Sequence, residues 1–424
     1  MKIVLFEDDK VSDLYPLTFL RAAFELRCGI FTLKEKVERK FPQARLYLET
    51  RDELDRVSAE RYGAPVVNSH DAVRPDDDLL LVNAAAILTG DAASYAQQET
   101  VGVTEGGRFV WAFLAQETVR RLDSAACIGL AERAAASLAR RTVEDILIAY
   151  PWDLITHNPS QIASDFRAYY TPARRSEPLR GAAMIGPEEN LYIGADVELQ
   201  PHTWIDCRGG PVILEDGVKV NAHTSIHGPA FIGPGTQLFE AQVREGCSFG
   251  PVCRVGGEVE ESIIHAYANK YHAGFLGHAY VGEWVNLGAM TTNSDLKNDY
   301  STVSLTVSGK QVDSGSLKVG SFIGDHTKTS IGTLLNTGSV IGIMCNLVAG
   351  SSVLPKYIPS FAWYIQDRVS KGLGLNYALE TARKAMARRK VELTDAQEEL
   401  IRYSEQITHE ERMAKIQKDR KKVR

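Results

Sequence analysis

No stretch of this 424-residue chain stays apolar for long. The opening MKIVLFEDD is charged by Glu7, so neither a signal peptide nor a membrane-spanning helix is expected. A basic excess is missing too: 48 Lys and Arg stand against 54 Asp and Glu, a formal net charge of −6, which argues against a nucleic-acid binder. Cysteine is scarce. The six (Cys28, Cys127, Cys207, Cys247, Cys253, Cys345) form no CxxC pair and no metal-like cluster with histidine. They read as reduced, packed thiols of a cytoplasmic protein. What remains, 44% hydrophobic and 24% charged residues, is ordinary for a soluble protein of two or three domains.

What the chain does contain is a six-residue beat. Ile193, Leu199 and Ile205 stand six apart, as do Val220, Ile226, Ile232 and Leu238, then Val281 and Leu287. Ile323, Thr329, Leu335, Ile341, Leu347 and Val353 continue it. A small or polar residue usually follows each, and another small one (Thr203, Thr236, Thr327, Cys345) comes four residues on. Six fits neither a 3.6-residue helix nor an alternating strand. It fits a three-sided coil of short parallel strands, with the aliphatic residue inside and the small residue after it turning the corner. A two-sheet sandwich with accidental spacing is the alternative.

Around this coil the chain divides into residues 1–175, a linker at 176–182, the coil at 183–356, and a C-terminal helical extension at 357–424. The first part looks α/β with a mostly parallel sheet: strands at 3–6, 45–48, 65–67 and 79–82, a hairpin over 102–113, and helices at 32–41, 125–141 and 151–166. The coil is expected to be interrupted near 256–274 and by a polar insertion over 292–317, where sites commonly sit on a solenoid. Asn376 can cap a terminal helix, and a second helix follows Thr394-Asp395-Ala396-Gln397. The basic end (Lys415, Lys418, Arg420, Lys421, Lys422, Arg424) reads either as a polyanion or membrane-surface contact or as a solvated, frayed helix end.

The richest chemistry lies at 269–298. His272 is an imidazole matched to deprotonating an amine at neutral pH, although a lone histidine can equally be a hydrogen-bonded structural residue. Lys270 and Lys297 supply ammonium groups for a sugar phosphate; Asn286 and Asn293 donate and accept hydrogen bonds. Lys270, His272 and the run HAGFLGHAYVGEWVNLGAMTTNSDLKN resemble the acetyltransferase half of the GlmU-like family, which acetylates glucosamine-1-phosphate and then uridylylates it. The resemblance covers about 185–355. It implies a left-handed parallel β-helix of hexapeptide repeats, a homotrimer, and acetyl-CoA as cosubstrate. His272 then stands for the general base, and Lys270, Phe275, Asn286, Asn293 and Lys297 for the substrate-binding residues. His326 and Lys328 would either reach the CoA phosphates or be ordinary polar corner residues.

The LYPLTFLR and ELRCGI segments near the N-terminus are similar to a reduced sugar nucleotidyltransferase-like domain joined to the same coil in GlmU-like proteins. The resemblance implies Mg²⁺, with Arg21, Arg27 and Asn83 toward nucleotide phosphates and Asn158 toward the metal. Departures stand beside it. The loop after the first strand reads Phe6-Glu7-Asp8-Asp9-Lys10 where the family has glycines, and Val82-Asn83-Ala84 replaces the usual Gly-Asp. Acidic side chains repel triphosphate, and Asn is a poorer Mg²⁺ ligand than Asp. The expected activity is acetyl-CoA-dependent N-acyl transfer to an amino-sugar phosphate or nucleotide sugar, possibly with sugar-1-phosphate nucleotidyl transfer. The alternatives are Mg²⁺-dependent nucleotidyl transfer as the main activity, or a non-catalytic nucleotide-sugar-binding or scaffold protein. No nucleic-acid or membrane partner is expected.

Overall fold

The computed structural model describes residues 1–124, 126–170, 181–348, 350 and 352–421. The chain forms two compact units: residues 1–14, 20–26 and 31–150 make one; 15–19, 27–30 and 151–424 make the other. The expected linker at 176–182 falls mostly outside the described residues. The 151–169 segment departs from the expected boundary at 175, because it joins the coil unit rather than the α/β unit.

In the first unit the strand Lys2–Phe6 runs parallel to Arg45–Glu49 on one side and Leu79–Asn83 on the other. Leu79–Leu81 and Val4 are wholly buried, as a central parallel strand requires. Phe109–Leu114 then pairs antiparallel to Leu79–Asn83 and to Thr100–Val103, the hairpin expected over 102–113. The Leu33–Lys40 helix opens with a capping box: Thr32 Oγ1 accepts from the Glu35 amide at 3.2 Å, and Glu35 returns a carboxylate to the Thr32 amide at 2.7 Å. Two expectations fail. Residues 64–66 form a 3-10 turn rather than a strand, since Pro65 has no amide to donate. The expected 125–141 helix spans only Cys127–Ser137, and Arg140–Thr142 joins the sheet beside Thr100–Val103.

The second unit is the coil. One face carries nine parallel strands in a ladder from Leu191–Ile193 to Tyr357–Ile358. The six-residue beat fills its interior: Ile205, Ile226, Ile232, Leu238, Ile323 and Ile341 are completely enclosed. Each such side chain contributes roughly 1.5–3 kcal/mol by burial. The beat slips once. Val353 is half exposed and Leu354 takes the inner place. Ile358 and Tyr364 continue the core, so the coil runs beyond 356, until Arg368–Ser370 folds back antiparallel on Trp363–Ile365 and ends the sheet.

Why small residues recur differs from expectation. Corners are made by residues with positive φ, and these are often large: Tyr267, Trp284, His326, Met344 and Phe361. The glycine after the aliphatic residue serves the spacing between coils. A Cβ on Gly282 would lie 2.3 Å from Asp325 Oδ1, and one on Gly342 would lie 2.3 Å from the Ser360 amide nitrogen. The threonine four residues past the aliphatic one ties successive coils. Thr327 Oγ1 donates to the Gly342 carbonyl at 2.8 Å and accepts from the Cys345 amide at 3.0 Å; Thr236 repeats this toward Gly250 and Cys253. Thiols at Cys247, Cys253 and Cys345 are free and enclosed, raised by burial far from the thiolate state.

The 256–274 segment proves to be ordinary coil, with strands at Arg254–Glu260, Ile263–Ile264 and Asn269–Lys270. The insertion after Thr292 is real and contains the hairpin Ser304–Val307 with Lys310–Asp313. Three helices follow. Leu375–Ala387 takes Gly374 as its N-cap, two residues before the expected Asn376; Asp395–Ile407 is the expected second helix and opens with a Thr394 capping box; His409–Lys421 is a third. That last helix is docked rather than frayed: Asp419 accepts from the Val369 amide at 3.1 Å, and Arg412 donates to the Ser360 carbonyl at 3.1 Å. The extreme basic residues 422–424 lie outside the described residues.

The Pro151–Tyr169 helix is fastened to the coil by one buried carboxamide. Asn158 Oδ1 accepts from the Gly29 amide at 2.7 Å and the Ser248 hydroxyl at 3.1 Å, while Nδ2 donates to the Gly246 carbonyl at 2.8 Å. Asn158→Ala strands the buried Gly29 amide and Gly246 carbonyl, while Ser248 keeps the Gly29 carbonyl at 2.8 Å, and should cost roughly 2–4 kcal/mol. A thermal unfolding midpoint unchanged from that of the parent would refute this account.

Candidate functional site

A coil turn of seventeen residues sets the geometry at 261–295: residues seventeen apart stack on one face. His272 sits on the corner after the Asn269–Lys270 strand, exposed, its ring edge-on to Tyr271 at 4.7 Å between centroids. Tyr271 in turn packs on Phe239 at 4.1 Å. No hydrogen bond holds the His272 imidazole among the described residues. Lys270 points inward and is 3% exposed. Its ammonium donates to the Gly256 carbonyl at 2.6 Å and to the His272 carbonyl at 3.1 Å, so it braces the corner that carries the imidazole. Burial brings its pKa down to about 8.

His278 forms a second imidazole site, which the sequence reading passed over. It stands between Glu261 and Asp295, each seventeen residues away in the chain. Nδ1 lies 2.8 Å from Asp295 and Nε2 3.4 Å from Glu261. Burial alone would lower its pKa, but the hydrogen bonds to Asp295 and Glu261 outweigh that and raise it to about 9. Imidazolium is therefore the resting form at neutral pH, and both nitrogens are committed. Glu260, Glu261 and His278 come close enough to hold a cation, yet Lys318 already pairs with Glu260 at 3.1 Å. The signal available in the sequence was a carboxylate one coil above and one coil below a histidine.

The expected substrate residues separate. Asn293 is spent on the fold: its carboxamide accepts from the Gly277 amide at 2.9 Å and donates to the Gly277 carbonyl at 2.8 Å. The polar contacts of the Lys270 and Asn293 side chains thus go to backbone groups of the coil. Lys297 lines a groove of about 600 Å³ with Asn298 and Leu334, and its ammonium reaches Ser301 at 3.0 Å and the Thr302 carbonyl. Asn286 lines a different cavity, with Trp284 and Lys328, and its Oδ1 accepts from Asn269 at 2.6 Å. Phe275 is partly exposed, its amide donating to Thr292 Oγ1 at 2.7 Å. His272 lines neither cavity.

The nucleotide-side expectations meet the same test. Arg21 is fully buried, its positive charge helping to hold the Glu25 carboxyl low. Arg27 donates to the Ile30 carbonyl and covers the Phe231 ring at 5.5 Å. Neither side chain offers an exposed phosphate fork. Asn83 ends its strand with Oδ1 on the Ala85 amide at 2.9 Å and Nδ2 on Asp8 at 2.9 Å. Asp8 also meets Arg108 at 3.4 Å, and Glu7, whose pKa burial raises, accepts from the amides of Ala23 and Arg51. Asn158 therefore does not fit Mg²⁺, since its carboxamide oxygen already accepts from the Gly29 amide and the Ser248 hydroxyl; Asn83 Oδ1 accepts from the Ala85 amide, and Asn is a poorer Mg²⁺ ligand than Asp.

Residues 3–171 match the family described as sugar nucleotidyl transferase. The bifunctional protein GlmU of Synechococcus elongatus is 28% identical over 220 residues, covering 46% of this chain and 43% of its own. The bifunctional sugar-1-phosphate nucleotidylyltransferase/acetyltransferase of Sulfurisphaera tokodaii is 32% identical over 156 residues, 34% of this chain and 37% of its own. The GlmU of Thermus thermophilus is 33% identical over 148 residues, 29% and 32% respectively. The matched region thus spans less than half the length of these relatives.

A histidine whose folded pKa is raised contributes stability that is complete below its unfolded value, roughly 6.5, and is lost as pH rises through about 9. Between those limits the parent protein should lose roughly 2 kcal/mol more than His278→Gln does. Parallel pH dependence of the two in chemical denaturation would show that His278 is not a buried cation.

Proposed function

We propose, from the premise that this chain is GlmU-like, that it transfers an acetyl group from acetyl-CoA to the amine of an amino-sugar phosphate or nucleotide sugar. His272 is the general base of this reaction. Its amine substrate attacks the thioester carbonyl and forms the amide bond; the carbon–sulfur bond breaks; the proton lost by the amine passes to the imidazole, and the thiolate leaves to be protonated as free CoA. The observation that carries the reading is the contrast between two imidazoles six residues apart. His278 is clamped as a cation by two carboxylates, whereas His272 is exposed and its ring has no hydrogen bond among the described residues. Lys270 is a positioning residue that acts through the His272 carbonyl.

Assembly as a homotrimer is supported by an apolar row that the chain leaves uncovered: Ile331 and Met290 are 75% and 60% exposed, and Leu334 and Val353 share one groove. Six enclosed free thiols support a reducing compartment, the cytoplasm. None of the helices among the described residues is long and apolar enough to cross a membrane.

Nucleotidyl transfer by the N-terminal unit is the second reading, favoured by the match over residues 3–171. Against it weigh the internal engagement of Arg21 and Asn83 and the acidic loop of Glu7 and Asp8.

Thiol release from acetyl-CoA with glucosamine-1-phosphate tests the first reading. His272→Ala should lower kcat on the order of 10²–10⁴-fold with little change in thermal stability. Thiol release that persists in this variant at the parental rate removes the assignment. Pyrophosphate release from a sugar-1-phosphate and each NTP reports the second reading separately.

A further inference from the structure

The cavity containing Asn286 is walled on one side by the coil and on the other by the Leu375–Ala387 helix and the two residues that follow it. It measures about 330 Å³. The coil side presents Tyr267 and Trp284, whose rings stack at 4.4 Å and 12°, and Lys328. The helix side presents Lys384, Arg388 and Arg389. No carboxylate is among the residues that line it. Only Lys384 has a carboxylate of its own, Glu380, at 2.6 Å.

Two of the cations are left in a costly state. Lys328 is half-buried, and its ammonium donates to the His326 carbonyl at 2.7 Å. Burial is the one cause that displaces its pKa, down to about 8, with no anion opposing it. Arg389 buries its Nε with no hydrogen-bond partner. Its charge also disfavours ionisation of nearby Arg254, whose pKa burial has already lowered. A buried guanidinium nitrogen without an acceptor costs free energy unless a ligand supplies one. Clustered like charges around a void repel one another unless an anion fills it.

We infer that this cavity is a binding site for a diphosphate group, with Lys328, Arg388 and Arg389 as its cationic wall and the Tyr267–Trp284 stack as an aromatic floor. A disubstituted diphosphate carries its two negative charges on two separate phosphates, so it can meet cations on both walls of the cavity, whereas a monophosphate presents its charge at one point. Such a linkage occurs both in coenzyme A and in nucleotide sugars. The inference takes only its choice of probes from the transferase reading and does not depend on His272 as the base.

Isothermal titration calorimetry of the full chain at low salt would use inorganic pyrophosphate, coenzyme A, UDP-N-acetylglucosamine and orthophosphate. At least one diphosphate should bind more tightly than orthophosphate. Lys328→Met and the double variant R388A/R389A should each weaken it tenfold or more, and Lys328→Arg should restore much of the loss. The double variant alters the exposed end of a helix, so it guards against a misfolded Lys328→Met. Binding should weaken as salt rises, and ligand-induced quenching of tryptophan fluorescence should vanish in Trp284→Phe. Preference for coenzyme A or for the nucleotide sugar identifies which one brings the diphosphate. His272→Ala should bind as the parent does, so a failure of the base assignment leaves this result standing. The inference is overturned if no diphosphate binds, or if binding is unaltered in both R388A/R389A and Lys328→Met.

Discussion

Successive coils lie so close that backbone meets backbone, and that spacing governs the rest of the molecule. Where one coil crosses the next, a Cβ at Gly342 would fall 2.3 Å from the Ser360 amide nitrogen, and one at Gly282 3.0 Å from the Asp325 amide nitrogen. Glycine at such points lets the inter-coil hydrogen bonds form, such as Gly282 amide to Ile323 carbonyl at 2.8 Å. Once the ladder closes, each aliphatic side chain lands on the one above it. The six-residue beat is thus the sequence image of a packing limit on the main chain, and the hydrophobic core follows from it.

The same ladder arranges chemistry in columns. Polar residues one turn apart meet face to face, with no freedom to slide. Glu261, His278 and Asp295 become a charge sandwich, Asn269 joins Asn286, and Tyr267 stacks on Trp284. The corner bearing His272 escapes such pairing because its neighbour Lys270 turns inward and holds the backbone. A single turn of the prism therefore carries both an immobilised cation and an open imidazole, six residues apart.

Much of this was legible in the residues. The coil, the first parallel strands, the hairpin and the helix after Thr394 all rest on periodicity or local pattern, which are short-range signals. The errors have long-range causes. Asn158 looked free for a metal because nothing nearby in sequence discloses Gly29, Gly246 and Ser248 around it. Asn293 and Lys270 looked like ligand residues because their type suits a sugar; their backbone partners lie in neighbouring turns of the chain. Val353 kept the beat while Leu354 took the inner place. The 330 Å³ cavity was invisible, since its two walls lie about a hundred residues apart in the chain.

The helix forming one wall of that cavity is no part of the repeating ladder. Residues on the coil answer to neighbours above and below, so nearly every replacement there disturbs the stack. Arg388, on the exposed end of the helix, answers to none of them. Drift in that appended segment can reshape the cavity while the imidazole-bearing corner stays as it is.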